Sequence, residues 1–314
     1  MAEKKATFCI AVYDDTVTLK ETIANIYDTV DSGLIDIVVT DDSGKLDASE
    51  LKEFPEVRLL NNRERSGVGF SLDRAVDEAK TDVVFPMGCD IRFSGDWFGR
   101  FYDVVKSHPK SLVCTVTAGL NTERRYLKGG ENHYFGSHIL FKVTEKNNRK
   151  PPLPFREYLE CKWNGKITGN VEPIGAVLGA FYGVNKDWYQ KIGGFSNHKT
   201  WGSLEVLFSL RSYIHGGDCR IDTNTVTGHI FKSASSQKPI SHLVYNKLLV
   251  AYALLPTDME KEVFNWAEKS AYARNAFAIF DKVKPLLEKE RQIKISLGDE
   301  ELRKLIEPTG ILNP

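Results

Sequence analysis

Five short apolar runs alternate with amphipathic segments in the first 120 residues. The apolar runs are continuous, which is typical of strands buried on both faces of a sheet, and they cover residues 7–13, 35–40, 57–61, 82–87 and 111–118. Apolar positions at three- and four-residue spacing predict helices between them, at residues 16–30, 68–80 and 96–107. We expect Thr16 or Thr18 to cap the first helix. This alternation predicts an α/β fold with a mostly parallel sheet flanked by helices.

Two later regions follow other patterns. Residues 119–170 are irregular, with Gly, Pro and Asn pairs, and we expect loops and hairpins over the site. This stretch carries ten Lys and Arg against five Glu, a local basic excess. After residue 237 the pattern is helical at residues 240–255, 259–266, 270–287 and 300–306, with breaks at Pro256 and Gly298. We expect residues 237–314 to form a helical appendage with no chemistry of its own.

Charge and composition exclude several classes of protein. Lys plus Arg equals Asp plus Glu, 42 against 42, so no global field would hold a nucleic acid or an anionic membrane. No run approaches the roughly 20 apolar residues of a membrane span. The start, MAEKK followed by ATFCIAVY, does not have the form of a secretion signal, so we expect a cytoplasmic protein. The five cysteines are scattered with no CxxC pair, which predicts buried thiols.

Polar side chains follow three predicted strands. The first strand leads into Tyr13-Asp14-Asp15, the second into Asp41-Asp42-Ser43-Gly44, and the fourth into Gly88-Cys89-Asp90. Ligands of such sheets bind at the carboxyl ends of the strands, where these groups would accept hydrogen bonds from a nucleotide or bind a divalent ion. Turn formation by the Asp residues and helix capping by Asp90 are the alternative roles.

Longer motifs resemble those of the GT-A glycosyltransferases, above all the inverting family 2 and the polypeptide N-acetylgalactosaminyltransferases. The resemblance covers roughly residues 6–120 and 172–235. It implies a GT-A fold, with a nucleotide-sugar half at about 1–120, an acceptor and catalytic half at about 121–236, and the helical region at 237–314. The implied donor is a nucleoside-diphosphate sugar, UDP-linked by preference.

The resemblance also assigns donor-binding residues. VYDD and DDSG match the segments that line the uracil and ribose pocket in that family, and Arg74 and Lys232 would offset the charge of the leaving diphosphate. The donor-binding residues implied are Val12, Tyr13, Asp14, Asp41, Asp42, Arg74, Cys89 and Lys232.

A metal site is implied by two motifs. Counted back from Trp97, Asp90 takes the place of the second acid of the family's Asp-x-Asp motif, and Gly88 replaces the first. GHIFK resembles the segment whose histidine, here His229, binds the metal in the N-acetylgalactosaminyltransferases. Asp90 and His229 are therefore expected to hold Mn²⁺ or Mg²⁺, with Asp90 also counted as catalytic.

The acceptor side is implied by two further segments. GAVLGAFYGVNKDWYQKIGGF resembles the acceptor-side glycine loop and contains Gly179, while WGSLEVLFSLR resembles the family's Trp-Gly-Gly-Glu-Asp segment. In that register Trp201 and Gly202 would contact the acceptor. Glu205 takes the place of the acid that acts as general base in inverting members, and Leu204 replaces its neighbour.

The expected activity is transfer of a hexosyl or pentosyl group to the hydroxyl of a glycan, a protein or a modified nucleic-acid base. Inversion is slightly favoured over retention. The basic excess at 119–170 leaves open a DNA-modifying glycosyltransferase that acts on hydroxymethylated bases. Gly88 and Leu204 leave open a domain that binds a nucleotide or glycan without catalysis. A nucleotidyltransferase is a further alternative, which the WGSLE segment disfavours.

Overall fold

The first 120 residues fold into the alternation that their hydrophobic pattern predicts. The computed structural model describes residues 3–141, 158–178, 181–231 and 239–311. All five expected strands and all three expected helices are confirmed. In chain order they are β1 (Ala6–Val12), α1 (Thr16–Thr29), β2 (Ile35–Asp41), β3 (Arg58–Asn61), α2 (Val68–Asp77), β4 (Val83–Gly88), the additional two-residue β5 (Ile91–Arg92), α3 (Phe98–Ser107) and β6 (Ser111–Leu120).

The first helix shows how the local pattern operates. Leu19, Ile23 and Ile26 are buried, as their spacing predicts. The expected caps were wrong, because the helix begins after Asp15, whose carboxylate accepts a hydrogen bond from the Thr18 amide at 3.2 Å. An aspartate in this position satisfies an amide that has no partner within the helix.

One large mixed sheet forms the centre of the fold. It adds β7 (His133–Tyr134), β10 (Val171–Ile174), β11 (Tyr182–Asn185) and β12 (Asp218–Ile230), and its order is β10-β12-β6-β11-β4-β1-β2-β3, with β5 on β12 and β7 on β6. The pairs β1–β2, β1–β4, β2–β3 and β6–β12 are parallel. Strand β11 is antiparallel to both β4 and β6 and joins the two parallel parts. The mostly parallel sheet expected from the sequence is confirmed, with β11 inserted antiparallel and β10 added antiparallel beside β12.

The irregular region forms a second, smaller sheet. Strands β8 (Ser137–Leu140) and β9 (Cys161–Trp163) pair antiparallel, as a hairpin would, and β13 (Gly310–Ile311) pairs parallel with β8. Residues 142–157, which connect β8 to the turn before β9, lie outside the described residues.

The carboxyl-terminal region is helical. Its helices are α6 (Ile240–Leu254), α7 (Thr257–Glu268), α8 (Ala273–Val283) and α9 (Glu288–Ile306). Helix α9 begins at Glu288, whereas the sequence predicted a start at residue 300. The prediction missed the first turns because the stretch EKERQIKISL is too polar to show a helical apolar pattern. The predicted break at Gly298 is a kink inside α9, where φ is 74°.

The carboxyl-terminal helices share a core with the sheet domain. Helices α4 (Lys186–Lys191) and α5 (Leu204–Ile214) precede them, and every residue of α5 except Glu205 is buried. One apolar cluster contains Val206 and Leu207 of α5 together with Leu248 of α6. The domain boundary expected near residue 236 stays a prediction. The residues on its two sides contribute to one continuous core.

Most of the thiols that the sequence predicts to be buried are buried in the structure. Four cysteine side chains are buried, those of Cys9, Cys89, Cys114 and Cys219. The side chain of Cys161 is half-buried. Across the described ranges, no helix combines the length and the hydropathy that a bilayer span requires.

Candidate functional site

The predicted donor-binding loops meet at one edge of the main sheet. In the parallel register Val12 lies opposite Asp41, and Ala11 lies opposite Gly88. The ends of β1, β2 and β4 are therefore level, and the segments that follow them share the carboxyl edge. This is the edge at which ligands bind in sheets of this kind.

Asp41 is held by its own loop. The carboxylate is buried and accepts hydrogen bonds from the amides of Ser43, Lys45 and Leu46 at 2.8 to 2.9 Å, and from the Ser43 hydroxyl. Burial acts to raise the pKa of Asp41, but these hydrogen bonds outweigh it and lower the pKa below 3.8. Asp41 thus shapes the loop after β2, and its contact with a donor stays a prediction.

Asp42 connects that loop to the start of α2. The carboxylate is buried and accepts hydrogen bonds from the amides of Ser66 and Gly67 and from Asn62 Nδ2, at 2.7 to 3.0 Å. Arg74 of α2 donates to Asn62 Oδ1 at 2.5 Å. Asp42 and Arg74, both predicted to bind the donor, are therefore brought into one hydrogen-bonded network.

Tyr13 and Asp14 lie on the exposed side of the same edge. The Tyr13 side chain is 42% exposed, and the Arg65 guanidinium lies 4.1 Å from its ring centroid. Asp14 adopts a left-handed φ of 52°, which turns the chain sharply after β1. Arg65 was not expected from the sequence, because nothing in the pattern places it beside Tyr13.

Asp90 and His229 are brought together, as predicted. The two lie on neighbouring segments, because His229 of β12 pairs with Ile91 of β5, which follows Asp90. Asp90 Oδ1 is 3.6 Å from His229 Nε2, and both side chains are partly exposed. An added Cβ on Gly88 would be only 2.7 Å from Asp90 Oδ1, so the Asp90 carboxylate occupies the space beside the position of the missing first acid.

The residues around this pair limit its metal-binding capacity. Among the described residues, no group of three or more His, Cys, Asp or Glu side chains converges on a common point. Cys89 is buried, and its carbonyl accepts a hydrogen bond from the Thr22 hydroxyl at 2.5 Å, which fixes the turn before Asp90. Any ion between Asp90 and His229 would need oxygen ligands from a substrate and from water.

An aromatic group lies beside His229. It consists of Tyr134, Trp163 and Phe231, with ring centroids 3.9 Å apart for Tyr134 and Trp163 and 5.5 Å apart for Trp163 and Phe231. The His229 ring is 4.4 Å from Phe231, and Trp163 is 41% exposed. Sequence reasoning missed this group, because its members come from β7, from β9 and from the residue after β12, which are far apart in the chain.

Glu205 is in the first turn of α5 and is half-buried. Burial, followed by the negative charge of Glu160, raises the pKa of its carboxyl above 4.5. Glu160 is paired with the fully buried Lys247 of α6, at 2.9 Å. The sequence did not indicate Glu160 or Lys247, since the pair joins the irregular region to a helix 87 residues later.

The predicted acceptor residues are placed in part. Trp201 is 47% exposed, whereas Gly202 is buried with a φ of 94°. Residues with a side chain rarely adopt this φ, and an added Cβ would also lie 2.3 Å from Leu243 Cδ1, so the position favours glycine. Gly179 and Lys232 lie outside the described residues.

The fold described above is of the GT-A type, the one that glycosyltransferases use. Residues 7–160 match the model of the family described as glycosyl transferase family 2. A crystal structure described as GalNAc-T7 with UDP, GalNAc and Mn²⁺ superposes with a TM-score of 0.67 at 15% identity, over 97% of this chain and 56% of that one. Residues 7–160 thus resemble a family 2 glycosyltransferase domain, and the fold is of the GT-A type.

Two curated relatives are polypeptide N-acetylgalactosaminyltransferases. Polypeptide N-acetylgalactosaminyltransferase 13 of Rattus norvegicus is 22% identical over 212 residues, which cover 64% of this chain and 36% of that protein. Polypeptide N-acetylgalactosaminyltransferase 14 of Homo sapiens is 24% identical over 223 residues, or 68% and 38% of the two chains. The matched region spans little more than a third of the length of these relatives.

Proposed function

We propose that this protein transfers a sugar from a nucleoside-diphosphate sugar, UDP-linked by preference, to an acceptor hydroxyl. The observation that carries the proposal is the Asp90–His229 pair at the carboxyl edge of a GT-A sheet. The networks of Asp41 and Asp42 support it, because they order the loops at which a nucleoside would bind. The structurally similar GalNAc-T7 is described with UDP, GalNAc and Mn²⁺, which suggests the same class of donor here.

Asp90 and His229 fit a divalent ion that is shared with the donor. Two atoms that bind one ion at about 2.1 Å each lie no more than about 4.2 Å apart, and the observed 3.6 Å meets that limit. A carboxylate oxygen and an imidazole nitrogen suit Mn²⁺, with diphosphate oxygens and water completing the set. When bound, such an ion stabilises the negative charge that develops on the leaving diphosphate.

Glu205 is the proposed general base. Its task is to remove the proton from the acceptor hydroxyl as that oxygen attacks the anomeric carbon, which requires an ionised carboxylate. The raised pKa of Glu205 suits this task, because a base whose pKa is nearer to the working pH accepts a proton more readily. Transfer by this route inverts the anomeric centre, and inversion is the outcome that we propose.

The aromatic group is the proposed acceptor-facing surface. Trp163 presents an exposed ring beside the His229 end of β12, and flat rings bind the apolar faces of sugars and the planes of bases. A glycan or protein hydroxyl is the first acceptor class that we propose.

The cytoplasmic location expected from the sequence stays a prediction, which imaging of the tagged chain would test.

Metal binding tests the site directly. We expect Mn²⁺, titrated in the presence of UDP and followed by electron paramagnetic resonance, to bind the wild-type protein. Asp90→Asn and His229→Ala should each weaken that binding at least tenfold, since each removes a proposed ligand. Asp96→Asn removes an exposed carboxylate six residues beyond Asp90 and should leave the affinity unchanged. Equal Mn²⁺ affinity in the wild type and both site variants would refute the metal site.

A second candidate function is glycosylation of a hydroxymethylated base in DNA. The exposed Trp163 ring next to the proposed metal pair favours it, because extruded bases stack on aromatic side chains, and the basic excess at 119–170 could contact phosphates. In that case the affinity for a single-stranded oligonucleotide should fall by orders of magnitude between 50 and 200 mM salt. Weak binding at every salt concentration would remove this candidate.

A non-catalytic binding domain is the remaining alternative, since Gly88 and Leu204 replace two acids of the family pattern. Tight UDP binding with no release of UDP from any UDP-sugar, whatever the acceptor, would favour that reading over transfer.

A further inference from the structure

The loop of residues 197–203, which leads into α5, is built from unusual backbone conformations. Asn197, Thr200, Gly202 and Ser203 all have φ between 41° and 94°. Residues other than glycine rarely adopt this region, and each such residue persists only where the surroundings hold it. The 197–203 loop therefore depends on contacts from elsewhere in the molecule.

Helix α6 supplies those contacts, mainly through Asn246. This side chain is fully buried, and its Nδ2 lies within hydrogen-bonding distance of the carbonyls of Lys199, Trp201 and Gly202, at 2.8, 3.1 and 3.1 Å. Its Oδ1 accepts a hydrogen bond from the Lys199 amide at 2.9 Å. With two N–H donors and one acceptor oxygen, this single amide group thus contacts backbone atoms at three positions of the loop.

Neighbouring side chains of α6 reinforce the contact. Tyr245 donates its hydroxyl to the Asn197 carbonyl at 2.7 Å, and His242 Nδ1 lies 3.2 Å from the Thr200 hydroxyl. Thr200 also forms a backbone bridge with Gly67, whose amide donates to Asp42. The loop is consequently held between α6 and the donor-side network.

We propose that Asn246 is a positioning residue for the acceptor side of the site, because it fixes the loop that presents Trp201 and begins the helix carrying Glu205. This inference rests on the proposed function. It also changes the role of the carboxyl-terminal helices, which we expected to have no chemistry of their own. In this proposal α6 sets the geometry in which Glu205 meets the acceptor, while donor binding is assigned to the loops after β1, β2 and β4.

The test separates positioning from general stability. Asn246→Ala removes all contacts of the amide, whereas Leu249→Ala creates a cavity in the same helix at a fully buried core position that makes none of these contacts. Hydrogen exchange should quicken at least tenfold at the amides of residues 199–203 in Asn246→Ala, and should change no more there than elsewhere in Leu249→Ala. Asn246→Ser keeps one small donor, so its exchange rates in the loop should lie between those of Asn246→Ala and the wild type. This variant tests the proposal if Asn246→Ala fails to fold.

Kinetics provide the second measurement, with the UDP-sugar that the wild-type protein consumes and with water as the acceptor. In Asn246→Ala we expect kcat for UDP release to fall at least tenfold while KM for the donor stays within twofold. Unchanged exchange in the loop, or the same kcat loss in Leu249→Ala, would overturn the proposal. Failure of the proposed function appears differently, as no UDP release from the wild type, and the exchange measurement still decides whether Asn246 fixes the loop.

Discussion

Replacing Glu205 by glutamine should slow turnover by at least two orders of magnitude and at the same time stabilise the protein. Glutamine has the shape of the protonated carboxyl and cannot accept a proton from the acceptor hydroxyl. General-base catalysis contributes about 10²- to 10⁴-fold, so kcat should fall by that factor, which corresponds to about 3 to 5 kcal/mol in the activation free energy. Donor affinity should be unchanged, because Glu205 is assigned to the acceptor.

The stability effect has a definite sign. Burial and the charge of Glu160 raise the pKa of Glu205 in the folded state above 4.5. The favourable contribution of the protonated group is therefore complete below pH 4.5, and is lost as the pH rises through the folded-state pKa. Glutamine keeps the neutral form at every pH, so Glu205→Gln should have the higher melting temperature at pH 8, and the difference should vanish near pH 4.

The assay pairs kinetics with thermal unfolding across pH. For the wild-type protein kcat/KM should rise with pH as Glu205 loses its proton, with a midpoint above that of an ordinary glutamate. Asp187→Asn, which removes an exposed acid from the first turn of α4, is the matched control and should change neither quantity. A Glu205→Gln protein with kcat within tenfold of the wild type, or with a lower melting temperature at pH 8, would refute this reasoning.

Two further predictions concern the turn before the 197–203 loop. Arg211 is buried, pairs with Glu290 of α9 at 2.7 Å and donates to the Gly194 carbonyl at 2.9 Å. Arg211→Met should therefore reduce the free energy of unfolding, measured by urea titration, by about 3 to 5 kcal/mol. A loss below about 1 kcal/mol would contradict this prediction. Burial raises the pKa of Asp73 to about 6, although the Tyr189 hydroxyl donates a hydrogen bond to its carboxylate. The protonated Asp73 side chain therefore contributes to stability at low pH, and this contribution is lost as the pH rises through 6. Asp73→Asn should therefore raise the melting temperature at pH 8 but not at pH 4, and equal shifts at both values would exclude this explanation.

The sequence predicted the parts of the fold that repeat a local pattern. Continuous apolar runs identified β1 to β4 and β6, and the parallel register then brought Val12, Asp41 and Gly88 to one level. Asp90 and His229 were paired only through the family resemblance, because no local pattern relates two residues that far apart. The structure supplied the reason for their contact, which is the pairing of β5 with β12.

The unpredicted parts depend on contacts between distant segments. Asn246 is an ordinary residue in a helical pattern, and its value follows from the unusual backbone of a loop nearly fifty residues earlier. The aromatic group of Tyr134, Trp163 and Phe231 forms in the same way, from segments with no shared sequence signal. Helix α9 was predicted too short because its first turns are polar, and packing rather than pattern stabilises them.

The most direct test of the central claim is nucleotide release from a panel of UDP- and GDP-sugars, with Mn²⁺ or with EDTA. We predict that at least one donor, UDP-linked by preference, is consumed with Mn²⁺ present, that EDTA abolishes the reaction, and that Asp90→Asn lowers it. Release that is unaffected by EDTA and by Asp90→Asn would contradict the proposed metal site, and the absence of both release and binding with every donor would contradict the transferase itself.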